Sequence, residues 1–170
     1  MLTLDGQVFR QHVGLFATGV AVISCTDPNV SYTDLDYAVH GATVNSFTSV
    51  SLRPPTVMVS LSAGRAHQFI TGNGHFGASI LTDAQQSCSD YFAGKPCSQT
   101  APEFTIRRRV PTLVDCLAWF ECQVIERFEV HDHTLFVARV FSCGASAGSP
   151  LLFFASHYHC QGADLAVSLR

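Results

Sequence analysis

The chain has 170 residues, within the ~100–200 expected of one domain, and it is read as a single domain spanning residues 1–170. Apolar residues make up 47% and charged residues only 14%, against a usual ~25%, which excludes disorder as the main state. Nine arginines and the single lysine, Lys95, stand against 13 acids for a net charge of −3, which argues against a polyanion-binding surface.

Asp5 is placed to cap a first helix, in which Val8, Phe9, Val13 and Phe16 recur at helical spacing as one apolar stripe ending between Gly14 and Gly19. GVAVISC then reads as a strand, closed by the turn signal Asp27-Pro28-Asn29. AVHGATVNSFTSVS is extended and rich in Val, Thr, Ser and Phe, until Arg53-Pro54-Pro55 stops it. In TVMVSLS, Val57, Val59 and Leu61 alternate with Met58, Ser60 and Ser62, so the two sets take opposite faces of a strand. A short helix is expected from Arg65 to Ile70, a strand over FGASIL, and a helix from Ala84 to Ala93. The polar, Pro-containing segment from Gly94 to Arg109 reads as a surface loop. LAWFECQVIERFEV, HTLFVARVFSC and LLFF give three more strands. Many strands with a few separated helices predict a mainly β fold, an antiparallel barrel with peripheral helices.

Gly72-Asn73-Gly74-His75-Phe76-Gly77 satisfies the letters of the dinucleotide motif G-x-G-x-x-G. That motif needs a strand before it and a helix after it. Here AHQFI reads as helix and FGASIL as strand, so the glycines are expected to serve a helix-to-strand turn. No two of the seven cysteines are spaced as CxxC, which leaves out a zinc ribbon or a thioredoxin-like motif. No basic-then-apolar leader precedes the fold, so a cytoplasmic protein with reduced thiols is expected.

The segment from Gly41 to Ser51 lines small and hydroxylated residues along extended backbone. Its amides, carbonyls and short hydroxyls could read the polar edge of a flat heteroaromatic ring; a Thr/Ser-rich edge strand is the plainer alternative. The next strand adds Ser60 and Ser62, then Gly64, which permits close approach, and Arg65, which can hold a phosphate in a forked contact.

HGATVNSFTSVSLRPP resembles the flavin-contacting segment of the short-chain NAD(P)H:flavin oxidoreductases, the reductase components of two-component flavin monooxygenases. FATGVAVIS, FGASIL followed by Gln85, YFAG, HDHTLFVARV and PLLFF-x-x-x-Y fall in that family's order, so the resemblance runs almost end to end. TVMVSLSAGR, PTLVDCLAWFEC, VHDHTLF and PLLFFASHYH are most similar to the styrene monooxygenase type, which also carries His where most members have Gly, here at His131.

The resemblance implies a flavin-binding split β-barrel acting as a homodimer. It implies FAD, or FMN, taken as a substrate and reduced by NADH, with hydride passing from nicotinamide to flavin N5. The reduced flavin would pass to a flavin-dependent monooxygenase, an epoxidase component acting on styrene or indole. By position, Thr43, Val44, Asn45, Ser46, Phe47, Ser49 and Val50 would line the flavin ring and ribityl chain, with Ser62, Gly64 and Arg65 at the phosphate end. His133 and Tyr158 would lie where nicotinamide stacks, and no residue is assigned as acid or base.

Two other classes compete. The pairs His131/His133 and His157/His159, set on neighbouring strands, could hold a divalent metal in a cupin-type barrel. A non-catalytic flavin-binding module on the same fold is the other. Arg107-Arg108-Arg109 is read as a solvated loop, Cys116, Cys122 and Cys143 as small buried hydrophobes, and Trp119 as core or dimer interface.

Overall fold

A computed structural model describes residues 4–29, 39–95, 101–107 and 110–162. The first helix, α1 (Gly6–Val13), starts where expected: Asp5 Oδ1 accepts from the amides of Gln7 at 2.6 Å and Val8 at 3.3 Å. Its apolar stripe is largely exposed, with Phe9 and Val13 each 56% exposed and Phe16 76% exposed.

Strands make up most of the rest. They are β1 (Thr18–Gly19), β2 (Ala21–Thr26), β3 (Val39–Val44), β4 (Thr48–Leu52) and β5 (Pro55–Ser62), followed by helix α2 (Arg65–Asn73) and β6 (His75–Ile80). A 3₁₀ turn (Asp83–Gln85) leads into α3 (Gln86–Phe92). Then come β7 (Phe104–Arg107), β8 (Val110–Leu113), the long β9 (Ala118–Val130) and β10 (His133–Ala145), β11 (Leu152–Phe154) and β12 (His157–His159). Seven of them form an antiparallel sheet in the order β3-β2-β6-β9-β10-β5-β4.

The sheet curls on itself. Ser46, just past β3, donates its hydroxyl to the Ser60 carbonyl of β5 at 3.0 Å and accepts from the Ser60 amide at 3.1 Å, which closes the barrel across its two ends. Val57, Val59 and Leu61 point into it, as their alternation requires, beside Ile23, Phe76 and Phe136. Ile70 of α2 plugs one end. A second core of Val20, Leu81, Leu113, Cys116 and Leu151 lies outside the barrel.

The segment expected as a loop from Gly94 to Arg109 is partly sheet. Phe104–Arg107 pairs antiparallel with Val110–Leu113, and residues 96–100 and 108–109, which include Cys97, Arg108 and Arg109, lie outside the described residues. This hairpin lies across β2 and β6: the Ser24 hydroxyl donates to the Pro111 carbonyl at 2.7 Å, and the Leu113 amide donates to the Ser79 hydroxyl at 2.9 Å. The approach is close because β6 has glycine there; a Cβ on Gly77 would stand 2.0 Å from the Pro111 oxygen.

The dinucleotide-like letters do sit on a helix-to-strand turn. Gly74 ends α2 in the left-handed region at φ 68°, while Gly72 is helical and Gly77 serves the close approach to β8. One further expectation is corrected. Cys143 is exposed, unlike buried Cys116 and Cys122, because its side chain leaves the outer face of β10. Trp119 is half-buried and packs against the second core, with the Arg107 guanidinium 3.9 Å from its ring centre.

Candidate functional site

The hydroxyl-rich stretch is not one continuous strand. It forms β3, a break over residues 45–47, and β4. The break turns the stretch into one wall of a groove of about 410 Å³, within the ~300–1,000 Å³ common for small-molecule sites. Thr43, Val44, Asn45 and Ser46 form that wall. Ser60 to Ala66 form the facing wall as β5 runs into α2, and His40, His67 and His133 complete it.

Most of the sequence-predicted residues meet here: Thr43, Val44, Asn45, Ser46, Ser62, Gly64, Arg65 and His133. His133 opens β10 directly opposite Ser62 of β5, which brings it to the Arg65 end. Phe47 is turned away into the barrel, its ring 5.4 Å from that of Phe120. Ser49 and Val50 sit on the exposed edge strand β4.

Tyr158 lies in a second pocket of about 200 Å³, with Val20, Ala93, Lys95 and Phe153. The two pockets share Thr43, Val44 and Asn45 as a common wall. The Tyr158 hydroxyl is 2.7 Å from the buried Ser89 hydroxyl, and Thr43 donates to the Ser89 carbonyl at 2.7 Å, so α3 braces the wall from behind. Lys95 Nζ sits 4.8 Å from the centre of the Tyr158 ring and 2.7 Å from Asp90 Oδ1. Its hydrogen bond to Asp90 pushes the ammonium's pKa up from its ordinary value.

The charge balance of the larger groove is one-sided. Arg65 and three histidines line it, and among the described residues no carboxylate does. Burial, then the neighbouring Arg65 charge, lower the His40 pKa from its usual 6.5, with Asp27 opposing them. His133 Nδ1 donates to Asp132 Oδ1 at 3.0 Å, and this bond holds the Asp132 carboxyl below the usual carboxylate range. Sequence reasoning missed His40, His67 and Lys95. His40 stands on β3 three residues before Thr43, but a single histidine on a strand carries no ligand pattern of its own; His67 comes from α2, which no local spacing links to that stretch.

The paired-histidine metal reading fails on topology. His131 is in the turn before β10, at φ 55°, and His157 and His159 are on β12, which belongs to a different sheet from β10. The pairs are therefore not on neighbouring strands.

The profile of the flavin reductase-like domain matches residues 13–161. The chain belongs to that family. It is 52% identical over 160 residues to the NADH-dependent flavin reductase StyB of Pseudomonas fluorescens, covering 92% of this chain and 90% of the relative. The styrene monooxygenase flavin reductase of Pseudomonas putida S12 superposes with a TM-score of 0.81 at 50% identity, covering 92% of this chain and 99% of that one. An NADH:FAD oxidoreductase of Streptomyces globisporus, solved in complex with NAD and FAD fragments, gives a TM-score of 0.80 at 27% identity over 96% of this chain and all of that one. Family membership replaces the cupin alternative. The groove between β3 and β5 takes in residues 40–46 of the segment that resembled the family's flavin-contacting stretch.

Proposed function

We propose that this protein is an NADH-dependent flavin reductase that supplies reduced FAD, with FMN as an alternative, to a partner styrene or indole monooxygenase. One observation carries the reading: the hydroxyl-bearing wall Thr43–Ser46 faces Ser62, Gly64 and Arg65 across an open groove, so ring-edge partners and a phosphate partner border one space. The identity to StyB supports it along nearly the whole chain.

The residues fit such a substrate. Backbone groups and hydroxyls of Thr43 to Ser46 would meet the polar edge of an isoalloxazine, and Ser62, Gly64 and Arg65 its phosphate-bearing tail. The flavin, when bound, supplies the hydride-accepting N5, and transfer from nicotinamide needs no side-chain acid or base. The chain's part is to hold two rings face to face at ~3–3.5 Å between reacting atoms. His133 borders the groove, and Tyr158 stands behind the shared wall, held by Ser89; both are assigned to nicotinamide. Phe47 supports the wall from the barrel interior, while Ser49 and Val50 remain assigned to the flavin on the family pattern alone.

The protein is further assigned as an oxidoreductase of the NAD(P)H:flavin type and as cytoplasmic; no described helix is long and apolar enough to cross a membrane. Homodimerisation is supported by the low charge content and by uncovered Phe9, Val13, Phe16, Ile125 and Phe128. Sedimentation equilibrium at micromolar protein should give twice the chain mass.

The deciding experiment is NADH and NADPH oxidation with FAD, FMN and riboflavin, with and without a styrene-type oxygenase. Flavin-dependent NADH oxidation is expected. Flavin binding without NADH oxidation would leave the non-catalytic module as the correct reading, and no flavin binding would remove both.

A further inference from the structure

This inference rests on the groove being the flavin site. The chain is acidic overall at −3, yet Arg65, His40, His67 and His133 gather on one groove that, among the described residues, no carboxylate lines. His40 ends up there because β3 runs straight into the hydroxyl-bearing wall. Its half-buried ring rests on Phe69 of α2, 4.8 Å between centres. The charged groups that act on it are Arg65 at the start of α2 and Asp27 in the turn after β2, and His67 and His133 share its groove. His67 is already engaged, with Nε2 2.9 Å from the Thr134 hydroxyl.

Burial and the Arg65 charge both favour the neutral form of the His40 imidazole, against the opposing pull of Asp27. An anionic ligand tail opposes this shift: it offsets the Arg65 charge, and it gives the imidazolium a partner that outweighs the added burial. We propose that His40 is a specificity-determining residue that, together with Arg65, reads the phosphate-bearing tail of the flavin and takes up a proton as that tail binds. The ligand class is therefore a flavin with an anionic tail, in preference to riboflavin. Binding tightens as pH falls, because the bound state holds more protons than the free state.

The test uses the full chain, with oxidised FAD and riboflavin titrated by calorimetry from about pH 6 to about pH 8.5, in buffers of different ionisation enthalpy. FAD is the chosen probe because a phosphate monoester, as in FMN, itself titrates near ~6. FAD affinity should rise toward acid pH by up to about tenfold per pH unit, with proton uptake, while riboflavin affinity stays flat. His40→Asn should bind FAD with neither slope nor uptake, and His67→Gln should keep both. His40→Gln serves if the asparagine variant melts early. A slope that survives in the His40 variants, an equal slope with riboflavin, or no proton uptake overturns the proposal. Failure of both flavins to bind at any pH overturns the flavin reading of the groove and this inference with it.

Discussion

The two pockets on either side of Thr43–Asn45 differ in kind although they share a wall. The larger one is open, hydroxyl-rich and ringed by cation-capable groups. The smaller one has an aromatic floor of Phe153 and Tyr158, and its one lysine is neutralised by Asp90. One side thus suits a long polar ligand with an anionic end, and the other suits a flat ring. A strand that must serve both sides cannot carry bulky residues, which accounts for the small hydroxylated composition of this stretch.

The largest expected effect abolishes both pockets together. Gly77→Ala forces a methyl group against the Pro111 carbonyl, and neither β6 nor β8 has side-chain freedom to yield. A loss of about 3 kcal/mol or more is expected in chemical denaturation, at the upper end of overpacking costs. Arg65→Ala should separate the pockets: FAD binding weakens about 10–100-fold, the equivalent of a charge-assisted hydrogen bond of ~1.5–3 kcal/mol, while riboflavin binding changes little. Equal weakening of both flavins would show that Arg65 shapes the groove and does not read its ligand's tail.

Tyr158→Phe acts from the other side. It leaves the buried Ser89 hydroxyl without its partner and should cost about 1 kcal/mol in stability. The KM for NADH should rise several-fold with FAD affinity unchanged; a change in FAD affinity alone would merge the two pockets into one site. The smallest effect is the pH dependence of folding. The His40 pKa is lowered in the folded chain, so the unfolded chain takes up the proton first as pH falls through 6.5. Stability should be greatest above that value and decline below it toward the folded-state pKa, by an amount that His40→Asn reduces. Thermal melts at a series of pH values measure it.

Where side chains alternate, the sequence was readable. Val57, Val59 and Leu61 declared the inner face of β5, and Asp5 declared the start of α1. The β8 strand was hidden because Val110, Pro111, Thr112 and Leu113 are all buried, so it has no alternation to read, and it follows a run of arginines that resembles a solvated loop. The stripe of α1 has the right period but is left largely exposed among the described residues, and periodicity alone does not say what covers a face. For the site, Thr43 to Ser46 and Ser62 to Arg65 were legible as two polar stretches at the ends of strand patterns. His67 was not, since α2 meets β3 and β10 only in three dimensions, and His40, though on β3 with Thr43, is a lone histidine with no pattern around it. Phe47, the one large apolar residue between Ser46 and Thr48, goes inward against Phe120 as hydrophobicity demands.

Because residues 43–45 are common to both cavities, substitutions there alter both at once. On the proposed assignment, flavin preference would be redesigned on the far wall at Arg65 and Ala66, and nucleotide preference at Ala93 and Lys95. Natural drift faces the same restriction: variation should collect on the outer walls and spare the partition.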